Sequence, residues 1–317
     1  LTWSKEDTIS ASFSGFSGGY ETDTAGERII MDGRVDSVEV NITSPEFGGA
    51  VNLAGWDMKV NRKRDESGLY LGTSRGEVDQ FSLTTAGKPA LVMNDVVQSD
   101  LVSLDGDGIN MALKYRIGSV NYGADKLGSL DLGLTLSRIN PGALVELGRL
   151  YNGLVFSLGD GAPEQAQLDQ FEALFRQLLD DHPRVSLDNF VLKTANGESR
   201  LNLGVDLGLS TELSKALSEV EPEDVIQALD AKLVLSKLML KDVVRYRALF
   251  DPTVDQSTVE QEAAMIAEMA GAMAEMFQLG RVEGDNIVSQ LSYANGAITF
   301  NGQAMELEEL MGLLARK

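Results

Sequence analysis

Through residues 1–137 the chain repeats one pattern, and no other feature limits its fold as tightly. Apolar side chains fall on alternate positions, at Val38, Val40 and Ile42, at Trp56, Met58 and Val60, and at Ile109, Met111, Leu113, Tyr115 and Ile117. Successive residues of a strand point to opposite faces, so each run turns one row toward a core and the other toward water. The runs are separated by Asp32-Gly33, Ser67-Gly68, Ala86-Gly87 and Asp105-Gly106-Asp107-Gly108. Asp and Gly accept the positive φ that tight hairpins need. Short alternating runs with such punctuation predict an antiparallel meander.

Beyond residue 137 strands alternate with helices. Leu130, Leu132, Leu134 and Leu136 lead into a predicted helix at Pro141–Tyr151, and Leu201, Leu203, Val205, Leu207 and Leu209 into one at Thr211–Val220. Leu229, Ala231, Leu233 and Leu235 precede Lys237–Phe250, and Ile298-Thr299-Phe300 precedes Ala304–Ala315. Asn196-Gly197 and Asn295-Gly296 predict the hairpins that feed the second and fourth units. Either an internal duplication or the ordinary alternation of an α+β protein accounts for this. Leu168, Phe171, Phe175 and Leu178 predict a helix from Pro163 that ends near His182, because Pro183 disfavours helix at the residue before it. The predicted fold is α+β: a long, twisted, mostly antiparallel sheet, all-β over 1–137, with helices packed on it over 138–317. The two parts are expected to form one elongated sheet.

The longest predicted helix, residues 258–279, begins at a Ser257/Glu260 capping box and stops at Gly280. Its main apolar stripe is Val259, Ala263, Ile266, Ala270, Met273 and Phe277; Met265, Met269, Ala272 and Met276 widen it. A face this broad needs cover, either as a core helix on the sheet or against an apolar ligand or partner. Met265, Met269, Met273, Met276 and Phe277 are the candidate surface.

Composition removes several function classes. The formal net charge of −21 opposes binding to nucleic acid and to anionic head groups. With no cysteine and one histidine, disulfides, thiol nucleophiles and the usual zinc sites are excluded. No apolar run reaches the ~20 residues of a spanning helix. The chain starts at Leu1 without an initiator Met, so a removed signal or anchor is expected.

Four stretches carry a family resemblance: "ISASFSGFSGG" from Ile9, "LGSLDLGLTLSRINPGALVEL", "LDNFVLKTANGESRLNLGVDL" and the C-terminal "LSYANGAITFNGQAMELEEL". In these the chain resembles the YdgA-like family of Gram-negative envelope proteins, of unknown function. The resemblance implies a periplasmic body tethered to the inner membrane by an N-terminal anchor. It implies no catalytic residues.

The residues support little chemistry. Gly15-Phe16-Ser17-Gly18-Gly19 matches a nucleophile elbow, but no helix is predicted after it, and His182 lies between Asp181 and Pro183. A flexible Gly/Ser turn is expected there. Asp105, Asp107 and Asn110 suggest a calcium loop, but Ile109 and Arg116 occupy ligand positions, so a hairpin turn is expected. The expectation is a non-catalytic periplasmic binding or structural module without cofactor or metal, an acid–base hydrolase being kept only because carboxylates are plentiful. Expected partners are lipid, an envelope protein or a second copy. The alternative is lipid binding or transfer, with an apolar trough on the sheet and helix 258–279 as plug or lid.

Overall fold

The computed structural model describes residues 2–5, 9–43, 48–157, 165–209, 220, 222–251, 253–255, 257–294 and 296–314. Three short strands come first, β1 (Thr2–Lys5), β2 (Ile9–Phe13) and β3 (Phe16–Thr22). Six long ones follow: β4 (Arg28–Thr43), β5 (Gly48–Arg64), β6 (Tyr70–Thr85), β7 (Leu91–Asp105), β8 (Gly108–Tyr122) and β9 (Asp125–Ile139). Helices α1 (Pro141–Ser157) and α2 (Gln165–Asp180) lead to β10 (Arg184–Lys193) and β11 (Glu198–Leu207). Next come α3 (Pro222–Val225), β12 (Ile226–Ser236), α4 (Lys237–Phe250) and α5 (Val259–Met276). The chain closes with β13 (Arg281–Glu283), β14 (Asn286–Ala294), β15 (Ala297–Phe300), β16 (Gln303–Met305) and α6 (Leu307–Leu314).

All sixteen strands join one open antiparallel sheet in nearly sequential order. β3 follows β2 along the same side of β4, and β13 shares a side of β14 with β15. The α+β expectation is therefore met, and the sheet runs through both parts of the chain. Strands β4 to β9 are 15–17 residues long, roughly 50 Å at about 3.3 Å per residue.

Ser67-Gly68, Ala86-Gly87 and Asp105–Gly108 are turns, with φ of +90°, +73° and +60° at Gly68, Gly87 and Gly106. Asp32-Gly33 is not a turn. It lies within β4, where a Cβ on Gly33 would come within 2.4 Å of the Phe16 ring of β3. The glycine makes room for an aromatic side chain instead of turning the chain. For the same reason Gly15–Gly19 is not a flexible turn beyond its first residue: Phe16 onward is strand, paired with β4.

The third strand–helix unit is formed as predicted. Ser236 ends β12 and caps α4, its Oγ accepting from the Met239 N–H at 3.2 Å. α2 stops at Asp180, and His182 takes a left-handed φ of +50° before Pro183. The fourth unit differs: Gln303–Met305 adds a strand, and the helix starts only at Leu307. The helix predicted over Thr211–Val220 falls outside the described residues except for its last. The Ser257/Glu260 capping box does not form. Ser257 donates to Asp255 Oδ1, while Glu260 accepts from Arg245 across the α4–α5 junction at 2.7 Å, a charged partner that outcompetes a backbone amide.

One irregularity crosses five strands at a single level. Val35, Trp56, Val78, Val96 and Ile117 pair in a row, as do Ser37, Ala54, Gln80, Asn94 and Ser119. Between the rows lie Asp36, Gly55, Asp79, Asp95 and Gly118, with left-handed φ of +63° at Gly55 and +53° at Asp95. Before this crease the apolar positions of β4 are odd-numbered (Ile29, Met31, Val35); after it they are even-numbered (Val38, Val40, Ile42). Exposure in β4 slips likewise, from Asp32, Arg34 and Asp36 to Glu39 and Thr43. Like a bulge, the odd residue takes up half a period, so the apolar row keeps its side of the sheet.

Candidate functional site

Cross-strand register sorts the long strands into two unlike faces. On one, Val60, Ser74, Asp100, Leu113, Leu134, Leu187 and Leu203 form a row. The next row contains Arg62, Val102, Met111, Leu136 and Val185, with Gly72 between the first two. A bulge at Asp188 absorbs an extra residue in β10, so that Leu187 and Phe190 stay opposite Leu134 and Leu132. The other face carries Arg34, Asp57, Glu77, Val97, Arg116 and Asp131, and beside them Asp32, Lys59, Arg75, Ser99 and Lys114. That face suits water, and Arg34 is held there by Asp36 at 2.9 Å and Asp57 at 2.5 Å.

Among the described residues the apolar face is partly open. Among the described residues no helix makes an extended contact with β3–β8; α4 touches β11 and β12, and α5 packs chiefly on α4 and secondarily on β13. Trp56, Tyr115, Leu136, Val185 and Leu233 all lie on this face, each 37–39 % exposed. Contiguous exposed apolar surface is the kind on which proteins take up partners or ligands.

Within it lies one polar cluster. Arg62 Nη2 donates to Ser74 Oγ at 3.2 Å and to Asp100 Oδ2, and Ser74 Oγ donates to Asp100 Oδ1. Arg62 Nε is buried without an acceptor. The pair borders a cavity of about 410 Å³ whose other walls include Met111, Leu113, Leu134, Leu136 and Val185. Apolar walls with a few fixed polar groups are the usual make-up of a small-molecule site, and the volume falls in its usual range. Sequence reading missed this cluster, although a signal was present: Arg62, Ser74 and Asp100 occupy apolar-phase positions of alternating strands.

The methionines occupy a different place. The buried face of α5 is Val259, Ala263, Ala267, Gly271 and Ala274, small residues that let α4 approach closely. Met265, Met269, Met273 and Met276 point outward, 54, 51, 48 and 67 % exposed, and Phe277 is half-buried at the helix end. Of the predicted main stripe, Val259 and Ala263 are buried, whereas Met273 lies on the outward side. α5 presents its small residues inward and its flexible large ones to solvent.

A second polar centre ties the helices to the sheet. The side chain of Asp242 on α4 is nearly inaccessible and accepts from Thr194 Oγ1 at 2.6 Å, Asn196 N–H at 2.9 Å, Asn196 Nδ2 at 2.7 Å and Arg245 Nη1 at 2.8 Å. Burial pushes this carboxyl up, but the hydrogen bonds from Thr194, Asn196 and Arg245 together hold it below the ordinary aspartate value. Arg245 also grips Glu260, so the β10–β11 hairpin, α4 and α5 share one network. Two donors reach each oxygen of Asp242 and fill its acceptor capacity, as a structural clamp does.

The remaining sequence candidates stay apart. Gly106-Asp107 is a two-residue hairpin, across which Asn110 Nδ2 reaches Asp105 at 3.4 Å. Ser17 lies in edge strand β3 against Arg34, whereas His182 follows α2.

Comparisons with known proteins agree with the resemblance drawn from the four motifs. The chain is 28% identical over 319 residues to Protein YdgA of Escherichia coli (strain K12), covering 95% of this chain and 63% of that protein. It is 24% identical over 297 residues to the Uncharacterized protein YihF of the same organism, covering 90% and 60%. The chain thus spans less than two thirds of the length of these curated relatives. No solved structure matches it significantly. The model of a family described as "Bacterial protein of unknown function (DUF945)" matches residues 2–308, and to that family the chain belongs.

Proposed function

We propose that this chain is a non-catalytic binding module of the bacterial periplasm, tethered to the inner membrane in its full-length form, and that its open sheet face holds the acyl chains of lipids. The compartment rests on the resemblance to envelope proteins. The ligand class rests on one observation: an apolar face on strands about 50 Å long, backed by a charged face and left uncovered by the helices. A module acting through protein partners alone has no need of apolar rows running across so many strands. An acyl chain, long, flexible and without hydrogen-bonding groups, matches such rows and removes them from water at roughly 25 cal/mol per Å².

A fluorescent fatty acid provides the test. Leu134→Asp, on the open face, is expected to abolish uptake, whereas Val97→Asp, on the charged face of β7, is expected to leave it intact. Equal loss in both variants, or no uptake by the unaltered protein, would refute the reading. For the tether, carbonate washing of membranes should leave the full-length protein in the pellet; release into the supernatant would count against it.

A further inference from the structure

The Arg62–Asp100 pair is a charged interruption of the apolar rows between β5 and β9, and it borders the 410 Å³ cavity. An ion pair on an apolar face gains little stability, because desolvation offsets most of its Coulomb attraction. Its geometry also leaves capacity unused. Among the described residues every hydrogen bond from Arg62 leaves Nη2, and Nε has no acceptor. Each Asp100 oxygen accepts one bond, from Ser74 and from Arg62 respectively, so each retains a free lone pair. Donors and acceptors of opposite charge therefore stand side by side, next to a cavity walled by leucine, methionine and valine.

We infer that this pair binds the head of a zwitterionic lipid, an anionic phosphate toward Arg62 and an ammonium toward Asp100, with the acyl chain along the leucine rows of β8–β10. The inference rests on the acyl-chain reading above and specifies the ligand. Two observations select a zwitterion. A lone carboxylate head would meet Asp100 as well as Arg62, and the protein's formal net charge of −21 repels anionic amphiphiles at a distance. A neutral head would leave both charges of the pair without added partners. A head with both charges satisfies both members, and charge-assisted hydrogen bonds are the stronger kind.

Competition against an apolar fluorophore, 1-anilinonaphthalene-8-sulfonate replaced by its uncharged N-phenyl-1-naphthylamine analogue, tests this with three ligands that share one oleoyl chain. They are a lysophosphatidylethanolamine, oleate and monooleoylglycerol. The zwitterion is expected to displace the fluorophore at about ten-fold lower concentration than either of the others. In Arg62→Met/Asp100→Leu the three should displace the fluorophore at equal concentrations. Arg62→Gln and Asp100→Asn, which keep the shape of the pair, should each narrow the gap and serve if the double variant does not fold. Equal displacement by monooleoylglycerol, a preference for oleate, or a preference unchanged by these substitutions would overturn the inference while leaving the acyl-chain reading in place. Failure of the fluorophore to bind the unaltered protein would overturn that reading, and the inference with it.

Discussion

The two parts of this sheet are stabilised by different means. Among the buried apolar side chains of the described residues, only Val35 and Ile109 precede residue 138; the others lie in the later part, from the end of β9 through α1, α2 and β10 to α4, α5, the last strands and α6. The early strands are held by long backbone ladders and cross-strand pairs with almost no enclosed core. The later part has a conventional interior, with α5 against α4, Asp242 clamped between hairpin and helix, and Ile298, Phe300 and Leu310 in a cluster. A sheet that meets its hydrogen-bonding needs along its length can leave one apolar face free for other uses. The helical part cannot, because its helices depend on each other for burial.

Substitutions can break this contrast. The largest effect is expected from Asp242→Ala, which takes the acceptor from Thr194, Asn196 and Arg245 Nη1 and empties the clamp; the loss should be about 3–5 kcal/mol in denaturant unfolding. A loss under about 1 kcal/mol would show that the helices are held by other means. Ala267→Leu comes next, since α4 and α5 leave no room for a longer side chain there, and about 1–3 kcal/mol should be lost. The same measurement applies, and an unchanged midpoint would mean that the two helices separate readily.

Acid should divide the two parts by a smaller margin. Carboxyls held below their ordinary values lie in the later part: Asp242 by the bonds described, Glu198 chiefly by Lys193 and Glu260 chiefly by Arg245. A carboxyl whose folded value is depressed adds stability that is complete above its unfolded value, about 4, and is lost as pH falls through the folded value. Hydrogen exchange near pH 3 should therefore speed up in α4 and α5 before it does in β5–β8. The reverse order would contradict the clamp. Smallest of all is Met273→Asp on the outward side of α5, expected to change stability by no more than about 0.5 kcal/mol. A collapse of the fold would restore Met273 to a core role.

Sequence reading succeeded where period and turn chemistry decide the outcome alone. The alternation at Ile109–Ile117 and the Asp105–Gly108 turn define a hairpin without reference to anything distant, and the helix predicted at Lys237–Phe250 follows its strand as α4. It failed where a remote partner decides. Gly33 reads as a turn unless Phe16 is known to cover it, and Glu260 reads as a cap unless Arg245 is known to reach it. Ranking α5 by hydrophobicity put methionine inward, whereas close helix contact selects alanine and glycine. The Arg62–Asp100 cluster could be noticed only as charge in apolar phase, since the two residues are brought together by pairing across β6.

The crease through Asp36, Gly55, Asp79, Asp95 and Gly118 also bears on how such a chain can change over time. Each of the five strands shifts its alternation by one residue at the same level, so none can gain or lose a residue there alone. Deleting Asp79 would turn Phe81 and Leu83 to the charged side while their neighbours Leu53 and Met93 stayed in place. Compensation would need matching deletions in every adjoining strand. Insertions and deletions should therefore gather in the hairpin tips, while strand lengths on both sides of the crease stay constant among relatives whose sequences have otherwise diverged widely.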